Sequence, residues 1–294
     1  MSILADRLQD VLSDRYVIEK ELGHGGTAVV FLARDLRHDR HVAIKVFRSD
    51  LGDASGAERF RREIRLLARL QHPHILPLYD SGTTHETSYF VSPFVEGETL
   101  RERLRRERAL PVEDALRLST EVADALEYAH AHDVIHRDIK PENILLHDDH
   151  AVVADFGIAR AMRQTVGEWT TAAGMSVGSP AYMSPEQASG ERQIDGRADI
   201  YSLACVLYEM LAGQPPFTGR SAHMILVARL TSTATPVSEL RAEAPPGLTA
   251  VLSRALARAP GDRFPTAGEF SRALAESLVE KPPAARRRWP FAGR

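Results

Sequence analysis

Between residues 16 and 94 apolar and polar positions alternate in short runs, at 16–22, 29–33, 41–47, 75–79 and 87–94, with turn-forming residues between them. A period of two over so short a span predicts five strands of one antiparallel sheet. The single interruption is 58–70, where Phe60, Glu63, Ile64 and Leu67 fall at i, i+3, i+4 and i+7 on one helical face, with Arg59, Arg61, Arg62, Arg65 and Arg69 mostly on the others. Glu63 is then an inward-facing carboxylate, and because a bare buried carboxylate is costly, the pattern predicts a cationic partner for it. After Glu96-Gly97 the period becomes helical. An arginine-rich stretch at 100–108 is followed by an amphipathic helix at 111–132 that opens on Pro111. Residues 200–211 are apolar nearly all round, which predicts a buried central helix ended by Gly213, and further helices are predicted at 222–230, 247–258 and 266–278. The fold class is α+β: a small antiparallel sheet with one helix, then a larger, mainly helical lobe. The boundaries are an N-terminal extension at 1–15, one bilobal domain at 16–279 (lobes 16–95 and 96–279) and a basic tail at 280–294.

Composition narrows the function. A chain of 294 residues with 44% hydrophobic content supports a sizeable core. Its net charge of −3 lacks the basic excess that a nucleic-acid partner requires. The lone Cys205 sits among apolar neighbours, which predicts a core thiol in a reducing compartment. No signal peptide or membrane helix is predicted, so the expected location is cytoplasmic. The tail residues Arg286, Arg287, Arg288 and Trp289 have the make-up of the cytoplasmic edge of a membrane anchor and are a candidate tether.

Chemistry concentrates in a few motifs. His136-Arg137-Asp138-Ile139-Lys140-Pro141-Glu142-Asn143 lies between apolar Val134-Ile135 and Ile144-Leu145-Leu146, which predicts a polar loop clamped between buried segments. Only Lys20, Lys45, Lys140 and Lys281 are lysine among 37 basic residues, so Lys45 and Lys140 stand out as compact point charges kept where arginine is the rule. Leu22 leads into Gly23-His24-Gly25-Gly26-Thr27-Ala28-Val29-Val30, a turn between two predicted strands in which glycines let backbone N–H groups approach an anion. Lys45 ends Val42-Ala43-Ile44-Lys45, and pairing it with Glu63 answers the needs of both. Asp155-Phe156-Gly157 follows the apolar Ala151-Val152-Val153-Ala154 and, with Asn143, supplies hard oxygen ligands of the kind magnesium takes. The spacing of His130, His132 and His136 is open to a zinc reading or to a helix end followed by the loop, and the second is favoured.

In this order the motifs resemble those of protein kinases, in the bacterial eukaryotic-like (Hanks-type) serine/threonine branch, over about residues 16–278. The resemblance implies ATP and Mg2+ as cofactors and protein serine or threonine hydroxyls as substrate. It implies Asp138 as catalytic base, Lys140 and the Lys45–Glu63 pair as charge-positioning groups, and Asn143 and Asp155 as metal ligands. Adenine would lie between Val30 and Ala43 on one side and Leu145 on the other, with Pro93-Phe94-Val95 as the hinge. Ala28 and Pro93 depart from the commonest residues at their positions. Gly178-Ser179-Pro180-Ala181-Tyr182-Met183-Ser184-Pro185-Glu186 resembles the end of an activation segment. The resemblance also pairs Glu186 with Arg263, has Asp199 cap the catalytic loop, and makes Thr171, Thr170 and Ser176 the candidate phosphosites, where a phosphate would meet the fixed cation Arg137. A catalytically silent scaffold and a small-molecule phosphotransferase are the rivals. The first is disfavoured by the complete polar set, the second by Ser184-Pro185-Glu186 and the long segment before it.

Overall fold

The computed structural model describes residues 3–25, 28–47, 54–83, 87–156, 180–191 and 193–279. Gly26, Thr27, Thr170, Thr171, Ser176 and the tail 280–294 lie outside the described residues.

The chain starts with α1 (Ile3–Leu12), then β1 (Tyr16–His24), β2 (Ala28–Asp35), β3 (Arg40–Phe47), α2 (Ala54–Leu67), β4 (Asp80–Thr83) and β5 (Ser88–Pro93). The five strands form an antiparallel sheet in the order β1-β2-β3-β5-β4. Alternation along β2 and β3 separates two faces. Val29, Phe31, Ala33, Val42, Ile44 and Val46 are buried on the outer one, against Ala5, Leu8 and Leu12 of α1. A ten-residue helix is marginal alone, so α1 owes its stability to this apolar stripe. Gln9 ties it to β1, its Oε1 accepting from the Ile18 N–H (2.7 Å) and its Nε2 donating to the Tyr16 carbonyl (3.1 Å). The extension before Tyr16 is therefore part of the packed lobe. On the inner face Phe47, Phe90 and Phe60 of α2 meet at ring separations of 5.7 and 5.8 Å.

The strand predicted at 75–79 is corrected. Ile75 makes only an isolated parallel bridge with Val153, and the strand proper begins at Asp80. Pro77 lacks the N–H a ladder needs, and the apolar side chains around it pack into the core instead, Ile75 being 4% exposed.

Past the hinge come β6 (Glu98–Thr99), α3 (Leu100–Glu107), α4 (Val112–Ala131), β7 (Ile144–His147) and β8 (His150–Val153), with the three strands forming a second sheet. Asp148 and Asp149, at φ 46° and 64°, make the two-residue left-handed turn that suits the twist of the β7–β8 hairpin. The rest is helical: α5 (Pro185–Ala188), α6 (Arg197–Ala212), α7 (Ala222–Thr231), α8 (Val237–Leu240), α9 (Pro246–Ala255) and α10 (Ala267–Val279). Every residue from Ala198 to Leu211 is buried, as the all-round apolar pattern predicted, and Gly213 ends α6 at φ 74°. Arg263 and Glu186 form a fully buried bidentate pair at 2.7 Å on both arms. The guanidinium's other bonds go to the carbonyls of Ala257, Arg197 and Arg258, leaving little of the charge uncompensated. Among the described residues no helix is long and apolar enough to cross a membrane.

If α1 is integral, Leu8→Ala lowers unfolding stability by about 2–5 kcal/mol, the usual range for a buried leucine. Urea denaturation checks this; an unchanged midpoint would place α1 outside the cooperative unit.

Candidate active site

The loop from Asp133 to Asn143 enters from α4 and leaves into β7, and its shape is imposed from below by α6. Arg137 has φ 68°, a conformation that costs a non-glycine residue roughly 1–2 kcal/mol. Two side chains hold it there. The Asp199 carboxylate accepts from the N–H groups of Arg137 (2.7 Å) and His136 (2.8 Å), and Gln187 donates to the Arg137 carbonyl (2.8 Å). Asp199 is fully buried at the start of α6 and also meets His130 Nε2 at 2.8 Å. Gly196 makes that approach feasible, since a Cβ there would lie 2.5 Å from His130 Nδ1. Burial pushes the Asp199 carboxyl up, but the His130 bond and charge, His136 and the Arg137 N–H together hold it below the usual carboxylate value.

His136 joins the loop to the next motif. Its Nδ1 accepts from the Asp138 N–H (3.2 Å), which leaves Nε2 to donate to the Ala154 carbonyl (2.9 Å). Its ring meets Phe156 edge-on at 4.6 Å. The residues on either side of Asp155 are thereby tied to His136. Lys140 Nζ donates to the Asp138 carboxylate (2.7 Å), and Asn143 Nδ2 donates to the Asp138 carbonyl (2.8 Å) and carboxylate (3.2 Å). Since the amide nitrogen of Asn143 is committed, its oxygen is the atom left to offer a ligand. A hard cation fits this donor set, an amide oxygen beside the Asp155 carboxylate.

Lys45 lies midway along β3, opposite Val30 and Phe90, and its ammonium pairs with Asp155. This corrects the predicted Lys45–Glu63 pair: Glu63 is half-buried on α2 and has no ion pair among the described residues. Asp155 and Glu63 are both half-buried, so burial does not rank them; the geometry does, since the Lys45 ammonium lies against the Asp155 carboxylate. Burial raises its pKa, but Lys45, aided by His136 and Lys140, outweighs this and keeps it below the ordinary range.

Val30, Ala43 and Lys45 share one sheet face and are each half-buried, whereas their strand neighbours are closed off. Leu145, between buried Ile144 and Leu146 in the second sheet, is half-buried in the same way. Leu22, Gly23, His24 and Gly25 are exposed at the β1 end of the turn, while Ala28 and Val29 are buried where β2 begins, and Pro93 and Val95 are half-buried at the hinge. A Cβ on Gly23 would meet nothing within 4 Å, so packing does not explain the glycine, which sits at a register shift of β1. No metal-binding group of three or more His, Cys, Asp or Glu occurs among the described residues, and His130 and His136 are occupied as above.

Sequence reasoning missed three contributors. The capping box Ser184–Gln187 is readable as a pattern, but not the second bond from Gln187 to the catalytic loop. His130 read as a helix end. Arg101 looked like one exposed arginine among many, yet it binds Glu142 (2.9 Å) and Glu209 (2.8 Å) while Tyr182 donates to Glu209 (2.5 Å), joining loop, central helix and the segment after Pro180.

The protein kinase domain family matches residues 16–278. The chain is 43% identical over 265 residues to serine/threonine-protein kinase PknB of Mycolicibacterium smegmatis, covering 88% of this chain and 42% of that one. It is 41% identical over 280 residues to PknB of Mycobacterium leprae, covering 93% and 44%. A probable serine/threonine-protein kinase of Streptomyces coelicolor is 40% identical over 265 residues, covering 88% and 39%. The chain thus spans less than half the length of these curated relatives. Nearly the whole of it, from β1 to α10, follows the one pattern, and the chain belongs to the protein kinase domain family, alongside bacterial serine/threonine kinases.

Proposed function

We propose that the chain transfers the γ-phosphoryl group of ATP to serine or threonine hydroxyls of proteins. The observation that supports this reading is that Lys140 and Asn143 are both bound to Asp138 while Lys45 pairs with Asp155, a carboxylate that also feels the charge of Lys140. Asp138 would orient the acceptor hydroxyl and take its proton as the oxygen attacks the γ-phosphorus and the bond to the ADP oxygen breaks. Lys140, already on the Asp138 carboxylate, would offset negative charge on the moving phosphoryl group. Lys45 would bind phosphate oxygens, and Val30, Ala43 and Leu145 would enclose the adenine while the hinge at Pro93 and Val95 offers backbone groups to its edge. Asn143 and Asp155 are the groups to hold Mg2+, which when bound neutralises phosphate charge.

With labelled ATP, magnesium and a generic protein substrate, Asp138→Asn should lower phosphotransfer by about 100- to 10,000-fold, with ATP binding nearly retained. Lys45→Met should also abolish it, and a chelator should do so reversibly. A folded Asp138→Asn protein working at the original rate would refute the assignment.

Regulation is part of the same reading: phosphorylation of Thr171 or Thr170, with Ser176 next, adds about −1.5 to −2 charge close in sequence to the catalytic cleft. Thr171 lies eight residues before Ser179, close to where the kinases this chain resembles carry their activating threonine. Mass spectrometry of protein incubated with ATP should find phosphate there in the active protein and not in Asp138→Asn. Full activity in the Thr170→Ala/Thr171→Ala double variant would place the switch elsewhere.

A further inference from the structure

The segment from Gln71 to Leu76 carries the chain from α2 towards β4 across the helical lobe, and a few directed bonds seat it there. The Gln71 N–H donates to the Tyr128 hydroxyl of α4 (3.3 Å), and His74 Nδ1 donates to the Ala151 carbonyl of β8 (2.8 Å). The Val153 N–H donates to the His74 carbonyl and the Leu76 N–H to the Val153 carbonyl, both at 2.9 Å. Histidines crowd this crossing. The His72 ring lies 5.2 Å from that of Tyr128 and 5.7 Å from that of His74. His132 lies 4.3 Å from Tyr128, and His150 lies 6.3 Å from His74.

His72 differs from its three neighbours in what its ring must do. His74, His132 and His150 each donate through Nδ1 to an oxygen, of Ala151, Tyr128 and Glu121 in turn, and a second proton on Nε2 leaves those bonds intact. His72 Nδ1 instead accepts, from the His74 N–H two residues on (3.2 Å). A proton there sets one donor against another, so His72 alone of this group keeps its bond only while neutral. The groups around it pull in opposite directions. His74 on its own segment opposes a proton, whereas Asp124 and the Tyr128 ring on α4 favour one. His150 is paired with Glu121, which Arg117 also approaches. Burial, then His74, outweighs Asp124 and holds His72 below the ordinary histidine value. We propose that His72 is a proton-sensitive latch on the crossing from α2 to β4. Neutral, it holds the His74 N–H and keeps the segment seated on α4 and β8; protonated, it releases that N–H and loosens the seat. Because the folded-state value is the lower one, the stabilisation is complete above the ordinary histidine value and is lost as pH falls from there through the depressed one.

Substituting His72 in the full chain tests this without reference to phosphotransfer. Asparagine stays uncharged and its side-chain oxygen accepts readily from the N–H two residues on, so His72→Asn should keep the bond and lose the switch. The melting temperatures of wild type and His72→Asn should agree near neutral pH. At about pH 5 His72→Asn should melt about 2–4 °C higher, the shift expected of one hydrogen bond in a domain of this size. Amide exchange, taken relative to intrinsic rates, locates the change. Between about pH 7.5 and about pH 5, protection of the His74 amide should fall about three- to tenfold in wild type, hold constant in His72→Asn, and be low throughout in His72→Leu. Equal melting of wild type and His72→Asn at the lower pH, pH-independent His74 protection in wild type, or full protection in His72→Leu near neutral pH would each overturn the proposal.

Discussion

A single buried carboxylate, that of Asp199, fixes the geometry on which the cleft depends. A charge at the core end of α6 is tolerable only because three donors surround it: His130 Nε2 and the N–H groups of His136 and Arg137. The last two are backbone groups, so neutralising the carboxylate and shaping the loop are one event. The left-handed turn at Arg137, the placement of Asp138 after it and the reach of His136 to Ala154 all follow. Because the carboxyl's pKa is depressed in the folded protein, its stabilisation is complete above the usual carboxylate range and is lost as pH falls through the depressed value.

Buried polar pairs repeat this logic at the lobe's other joints. Glu186 and Arg263 anchor α5 to the turn before α10, and Gln187 of the same short helix returns to the catalytic loop. Arg101 ties the start of α3 to Glu142, Tyr182 and Glu209, where burial and then Glu209 push the Tyr182 phenol far above its ordinary value. An apolar core of this size specifies compactness; these directed bonds specify which loop goes where.

The parts of the fold that were legible in the sequence are those set by a single period. The alternation in β2 and β3 and the all-round apolar run of α6 each record one dominant environment. What escaped involved competition between two demands. Around Pro77 an apolar run looked like a strand, but the missing N–H and the demand for core packing turned it into an irregular crossing. Residues 3–12 carry a modest apolar stripe whose significance comes only from the exposed sheet face it covers. In the candidate site, the acids and amides stood out by motif, and their mutual bonds followed from closeness along the loop. The partner of Lys45 did not, because Glu63 and Asp155 are both plausible by charge and only the three-dimensional arrangement decides between them. Gln187 and His130 were hidden for a related reason: each satisfies a local role that accounts for its presence without the distant one.

The central claim is that Asp199 holds the catalytic loop in its shape, and amide hydrogen exchange at His136 and Arg137 in Asp199→Asn tests it most directly. Asparagine keeps the volume but loses the charge and one acceptor, so these two amides should exchange about ten- to a hundredfold faster, the loss expected of charge-assisted bonds, while amides in the middle of α4 keep their protection. Unchanged protection at both residues in a folded variant would contradict the account and place control of the loop elsewhere.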